Sequence, residues 1–219
     1  MPHKVGVILS GCGFKDGAEI HESVCTLLAL DKIGCTIICM APNIIQARVI
    51  DHLSGKEVKE TRNVLVESAR IARGNIKDIS TVKATDLDAL VMPGGFGAAT
   101  NLSTFGKDGA KATVNPDVAR LIKDMHAAKK PIGAICIAPG VVAACLGKTA
   151  HPLLTIGNDQ DTAGNIEALG AKHENCGTRE FVVDKKNKIV STPAYMLGPS
   201  IAHVAEGIEK CVREVIALI

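Results

Sequence analysis

KVGVILSGCGFKDGAEIHESVCTLLALDKIGCTIICMA, residues 4–41, decides the fold. Lys4 to Ser10 is a short, nearly continuous apolar run that ends in glycines, as a strand buried on both faces does. Asp16 to Ile33 follows, with Ile20, Val24, Leu27 and Leu28 at helical spacing and Gly34 as the stop. Cys35 to Ala41 is a second strand, closed by Pro42. Strand, helix, strand in this order implies a right-handed crossover and a parallel sheet.

The pattern continues along the chain. Leu87–Pro93, Pro131–Cys136, Leu153–Ile156, Glu180–Asp184 and Lys188–Thr192 read as strands, the last two joined by a turn at Lys185–Asn187. Asn115–Lys130, Pro139–Leu146, Thr162–Leu169 and Ser200–Ile219 read as helices. Residues 94–99, Gly-Gly-Phe-Gly-Ala-Ala, read as a loop of nearly bare backbone. Residues 43–80 break the alternation; a turn at Ser54-Gly55 and a helix near Arg62–Arg73 predict an insertion on the sheet's rim. The expectation is one α/β domain over residues 1–219: a flavodoxin-like, doubly wound, mostly parallel sheet sandwiched by helices.

Composition narrows function. The 219 residues carry a formal charge of +2, with 47% hydrophobic residues and a mean hydropathy of +0.21. So balanced a charge leaves no large electrostatic footprint for nucleic acid, and four Phe, one Tyr and no Trp offer few stacking platforms. The longest uncharged stretch, Ile132–Gly147, is broken by Pro139 and glycines and falls short of the roughly 18 apolar residues of a membrane span. Eight cysteines without an export signal suggest reduced thiols; Cys25, Cys35, Cys39, Cys145 and Cys211, in apolar surroundings, read as small buried hydrophobes. No Cys-x-x-Cys or His-Glu-x-x-His occurs, so no metal site is expected. Gly11-Cys-Gly-Phe-Lys-Asp16 lacks the third glycine of a dinucleotide fingerprint, and a nicotinamide cofactor is not expected.

One segment carries chemistry. In Gly133-Ala-Ile-Cys-Ile-Ala-Pro-Gly140 a buried strand ends, one residue intervenes, and a helix begins. Such a turn holds its tip residue in strained backbone geometry, and Ala134 and Ala138 are small enough to let it close around Cys136. Helix amides beside the thiol favour the thiolate nucleophile. The competing reading is one more buried cysteine. A nucleophile also needs a place for developing negative charge, and the amides of Gly95 and Ile137 are the expected oxyanion donors. Glu19 and Glu22 share a helical face; read alone, both are solvated acids that complement the helix dipole.

Several segments together resemble the enhancing-lycopene-biosynthesis family: VILSGCG (7–13), DGAEIHE (16–22), TRNVLVESARIARG (61–74), MPGGFGAATNLS (92–103), ICIAP (135–139) and NKIVSTPAYM (187–196). That family lies in the protein-deglycase/PfpI superfamily, which is related to class I glutamine amidotransferases. The resemblance implies a homodimeric, cofactor-free glyoxalase that turns glyoxal into glycolate, linked to isoprenoid biosynthesis. It makes Cys136 the nucleophile, Glu22 the acid bonded to it and Gly95 part of the oxyanion loop, and it gives His151 and Glu19 auxiliary places. Ile137 stands where related proteases carry His, and Thr192-Pro-Ala-Tyr195 stands where glutaminases carry His-x-Glu; neither of those activities is implied. Animal members are mitochondrial; the lack of a transit peptide predicts a cytoplasmic protein here. The rival reading is a redox-sensing or regulatory protein with an oxidation-prone Cys136.

Overall fold

The computed structural model describes residues 1–219. Seven strands form one sheet: β1 (Lys4–Ile8), β2 (Thr36–Ala41), β3 (Lys77–Asp78), β4 (Ala89–Met92), β5 (Ile132–Ile135), β8 (Val182–Asp184) and β9 (Ile189–Thr192). Their order is β3-β2-β1-β4-β5-β9-β8, with every pairing parallel except β8 with β9. The remaining two strands, β6 (Leu153–Leu154) and β7 (Lys172–His173), pair only with each other. The expected strand at 153–156 is thus real but lies outside the main sheet.

The helices are α1 (Ile20–Ile33), α2 (Val64–Ile71), α3 (Phe96–Thr100), α4 (Phe105–Asp108), α5 (Pro116–Ala127), α6 (Ala138–Ala150), α7 (Gln160–Ala168) and α8 (Ile201–Ala217). Alternation along β1 sends Val5 and Val7 into an apolar cluster shared with α1 and α8, while Ile8 joins the opposite cluster with α5 and α6. Helices thus cover both faces of the sheet, the doubly wound flavodoxin-like arrangement. No helix is long and apolar enough to cross a membrane.

Several local expectations are corrected. The first helix begins at Ile20, not Asp16, because Glu19 caps it: the carboxylate accepts a bond from the Glu22 amide at 2.7 Å. Of the apolar set at helical spacing, Ile20, Val24 and Leu28 are exposed, at 42, 50 and 51%, and only Leu27 is half-buried against the core. The buried face is instead Glu22, Ser23, Thr26, Ala29 and Leu30. Ser23 and Thr26 can be buried because each hydroxyl donates to a carbonyl one turn back, of Glu19 and Glu22. Cys25 and Cys35 are likewise partly exposed rather than core residues. The expected loop at 94–99 is a two-glycine turn, with α3 starting at Phe96. Residues 43–80 carry α2 and end in β3, so the segment adds an edge strand as well as covering the rim. Its Ile50 amide donates to the buried Asp16 carboxylate at 2.7 Å, which ties it to the turn ahead of α1.

Candidate active site

β5 delivers Cys136 to the carboxyl edge of the sheet. The Cys136 amide donates to the Thr192 carbonyl on β9 at 2.9 Å, and the residue then turns to φ +61° before α6 begins. A β-carbon at positive φ is strained. The turn holds it there, leaving Cys136 only 7% exposed at the tip.

α1 brings Glu22 to the same point from the next layer. The Glu22 side chain is wholly buried and accepts bonds from the Gly94 amide at 2.9 Å and the Tyr195 amide at 3.1 Å. Burial pushes its pKa up to about 7, against the pull of the bonds from Tyr195, Cys136 and Gly94. Burial, then the Glu22 charge, pushes the Cys136 thiol well above its ordinary range, while the Gly95 and Ile137 amides pull it down. The thiol is therefore the resting form when Glu22 is ionised. Moving one proton from sulfur to carboxylate removes the repulsion and leaves a thiolate facing two amides. The resting thiolate expected from the helix amides alone is corrected on this ground.

The close approach depends on Gly94. A β-carbon there would stand 2.4 Å from the Cys136 Cβ and 2.8 Å from a Glu22 carboxylate oxygen. Gly95 sits at φ +92°, where an added Cβ would strike the Glu19 amide at 2.4 Å. Sequence reasoning marks the Gly94-Gly95 pair for a close backbone approach and Gly95 as the oxyanion donor; the structure adds that Gly94 is the residue packed against both Cys136 and Glu22.

Over Cys136 opens a cavity of about 770 Å³. Phe14, Phe96, Phe105, Ile137, Tyr195 and Met196 supply much of its wall, with Glu19, His21, Thr162 and Asn165 as polar groups. The His21 Nδ1 and the Tyr195 hydroxyl are 2.8 Å apart. His21 and Tyr195 went unnoticed in the sequence because they meet only through the fold, from α1 and from the turn after β9. The signal was present as His21 beside Glu22 and as the single Tyr. No three His, Cys, Asp or Glu side chains are grouped as a metal ion would need.

His151 lies elsewhere. It caps the far end of α6 at φ +49°, with Nδ1 2.7 Å from the Gly170 carbonyl, about 20 Å along the helix from Cys136. It is absent from the cavity wall. His151→Ala is therefore expected to leave turnover within about twofold and to cost about 1 kcal/mol in urea unfolding, for the lost bond to Gly170. Glu19 does reach the cavity, as well as capping α1.

The chain is 46% identical to the ES1 protein homolog, mitochondrial, of Rattus norvegicus, over 98% of its own length and 84% of that protein. It is 44% identical to the glutamine amidotransferase-like class 1 domain-containing protein 3, mitochondrial, of Homo sapiens, over 98% and 83%. Among solved structures, an isoprenoid biosynthesis protein with amidotransferase-like domain from Ehrlichia chaffeensis superposes with a TM-score of 0.93 at 41% identity, covering 99% of each chain. The cytoplasmic placement expected from the sequence is corrected by these names, since the curated relatives, the ES1 protein of Danio rerio included, are mitochondrial. Reduced cysteines fit any compartment that forms no disulfides, and an organelle address is read by receptors rather than by the fold. The DJ-1/PfpI family profile matches residues 11–191, and the chain belongs to the DJ-1/PfpI family.

Proposed function

We propose that this protein is a cofactor-free glyoxalase of the enhancing-lycopene-biosynthesis branch, converting glyoxal to glycolate on Cys136. The observation that carries the reading is the elbow thiol packed with a buried carboxyl, Glu22, around Gly94, where burial raises that carboxyl's pKa to about 7. Glu22 can then take up and release a proton near neutral pH, as acid–base work requires.

Cys136 Sγ bonds to one aldehyde carbon of glyoxal as the carbonyl pair moves to oxygen, and Glu22 relays the thiol proton to that oxygen. The Gly95 and Ile137 amides stabilise the charge before the proton arrives. Glu22, now a carboxylate, takes the C–H proton from the same carbon and returns it to the neighbouring carbonyl carbon, as the hydroxyl proton passes to the neighbouring oxygen. The first carbon becomes a thioester and the second an alcohol, so one is oxidised as the other is reduced. Water cleaves the thioester, releasing glycolate and restoring the thiol.

Glyoxal supplied to the purified protein without glutathione or metal is expected to appear as glycolate, with Cys136→Ala folded and inactive. Equal turnover by that variant would remove Cys136 from the chemistry. The redox-sensor reading is weaker because oxidation follows thiolate character, and burial with Glu22 disfavours the resting thiolate. We further propose one domain with residues 43–80 as an insertion, a mitochondrial placement after the curated relatives, and a homodimer, for which the exposed Ile20/Val24/Leu28 stripe offers an apolar face. A role in isoprenoid biosynthesis rests on the family resemblance and on the name of the Ehrlichia chaffeensis relative.

A further inference from the structure

The wall around Cys136 is larger and more apolar than a two-carbon dicarbonyl needs. A cavity of about 770 Å³ falls in the range that encloses a drug-sized ligand. Aromatic residues make up only 2% of the chain, yet Phe14, Phe96, Phe105 and Tyr195 all line this one cavity. Phe105 is buried and packs against Gly140, where a β-carbon would stand 2.5 Å from its ring, so the floor is fixed. Phe14 and Phe96 stand at the mouth, half exposed at 46 and 51%. Glyoxal bound at Cys136 leaves both rings in water; a substrate with an apolar body covers them.

We propose that the cavity selects α-oxo aldehydes, R–CO–CHO, in which R is a large apolar group, and that Phe14 and Phe96 set the preference. This rests on the dicarbonyl reading of Cys136 and names its substrate class. The sulfur adds to the aldehyde carbon, that carbon's C–H proton leaves, and a proton returns to the ketone carbon. The aldehyde carbon is oxidised to a thioester as the ketone is reduced to an alcohol. Hydrolysis gives R–CHOH–COO⁻, with water as the only co-reactant.

Phenylglyoxal is the probe. Its kcat/KM is expected to exceed that of glyoxal at least about tenfold, after correction for the two compounds' reactivity toward a free thiol, and the ratio is expected to collapse in Phe14→Ala/Phe96→Ala. A corrected ratio near one in the wild type, or one undiminished in the variant, overturns the proposal. A second readout needs no turnover: the rate at which N-benzyliodoacetamide alkylates Cys136, against iodoacetamide, followed by peptide mass spectrometry. The benzyl reagent is expected to be preferred at least about tenfold, and the preference to be lost in the same variant. If neither dicarbonyl turns over, the glyoxalase reading falls, and the alkylation ratio alone decides the apolar selection. If the double variant does not fold, Phe14→Ala is read in the same way, since its ring is half exposed.

Discussion

Glu22→Gln is expected to be more stable than the wild type at pH 8 by about 2 kcal/mol, while kcat falls by at least about 100-fold. Burial raises the Glu22 pKa from 4.5 to about 7. At about 1.4 kcal/mol per pH unit, ionising it in the folded state costs about 3 kcal/mol. Below the unfolded value both states hold the proton, and nothing is lost. As pH rises from 4.5 toward 7, the unfolded chain gives up its proton first, so the wild type loses stability over that window and stays low above it. Gln carries no such charge. Its amide oxygen cannot replace both carboxylate oxygens that accept from Gly94 and Tyr195, which takes back about 1 kcal/mol. Urea unfolding at pH 4 and pH 8 measures the difference, which should reverse at the lower pH, where the charge cost is gone and the lost bond leaves the variant about 1 kcal/mol less stable. A variant less stable than the wild type at pH 8 would mean that the folded protein holds Glu22 as a favoured carboxylate, and the shared-proton account would fail. Catalytically, wild-type kcat/KM is expected to rise with pH through about 7, as the thiol–carboxyl pair drops to a single proton, and the variant should lack that limb.

Gly94→Ala is expected to be the most damaging substitution of a residue that does no chemistry itself. The new methyl carbon would meet the Cys136 Cβ at 2.4 Å, the Glu22 carboxylate at 2.8 Å and the sulfur at 3.0 Å. None of these neighbours can give way freely: Cys136 is held at positive φ and Glu22 by two backbone bonds. Overpacking of this kind costs about 1–3 kcal/mol, and a displacement of about 1 Å between reacting groups costs about 100-fold in rate. Thermal unfolding together with glyoxal turnover measures both. Near-normal activity in this variant would mean that Glu22 and Cys136 need not touch.

The elbow was legible because its signal is local. A buried strand ending at Ile135 and a helix opening on Ala138-Pro139 leave Cys136 no backbone geometry but a tight turn, found at φ +61°. The sheet was legible for the same reason, since β1, β2, β4 and β5 are short, mostly apolar runs, with β2 and β4 closed by Pro and β1 leading into Gly11. Glu22 was not legible from the residues. Hydrophobic periodicity picks out Ile20, Val24, Leu27 and Leu28, of which only Leu27 reaches the core, while α1 packs mainly through Ser23, Thr26 and Ala29, small enough for close approach and with hydroxyls satisfied within the helix. The exposed stripe misdirected the reading, and only the resemblance to known sequences turned Glu22 toward Cys136. The cavity wall was the least legible part. Phe14, Phe96, Phe105 and Tyr195 come from four separate segments, and no spacing in the chain announces that they converge.

The most direct test of the Cys136–Glu22 account is to incubate Glu22→Gln with glyoxal, pulse with iodoacetamide and map by peptide mass spectrometry which cysteines glyoxal has shielded, because the hemithioacetal itself reverses on digestion. Sulfur addition, whose thiol proton can pass through water to the new oxygen, should be slowed but still occur, while the proton transfer between the two carbons should not. The account therefore expects glyoxal to shield Cys136 from alkylation, above the level on the other seven cysteines, with little glycolate formed. Unshielded Cys136 beside undiminished glycolate production would show that the reaction runs without either group, and would contradict it.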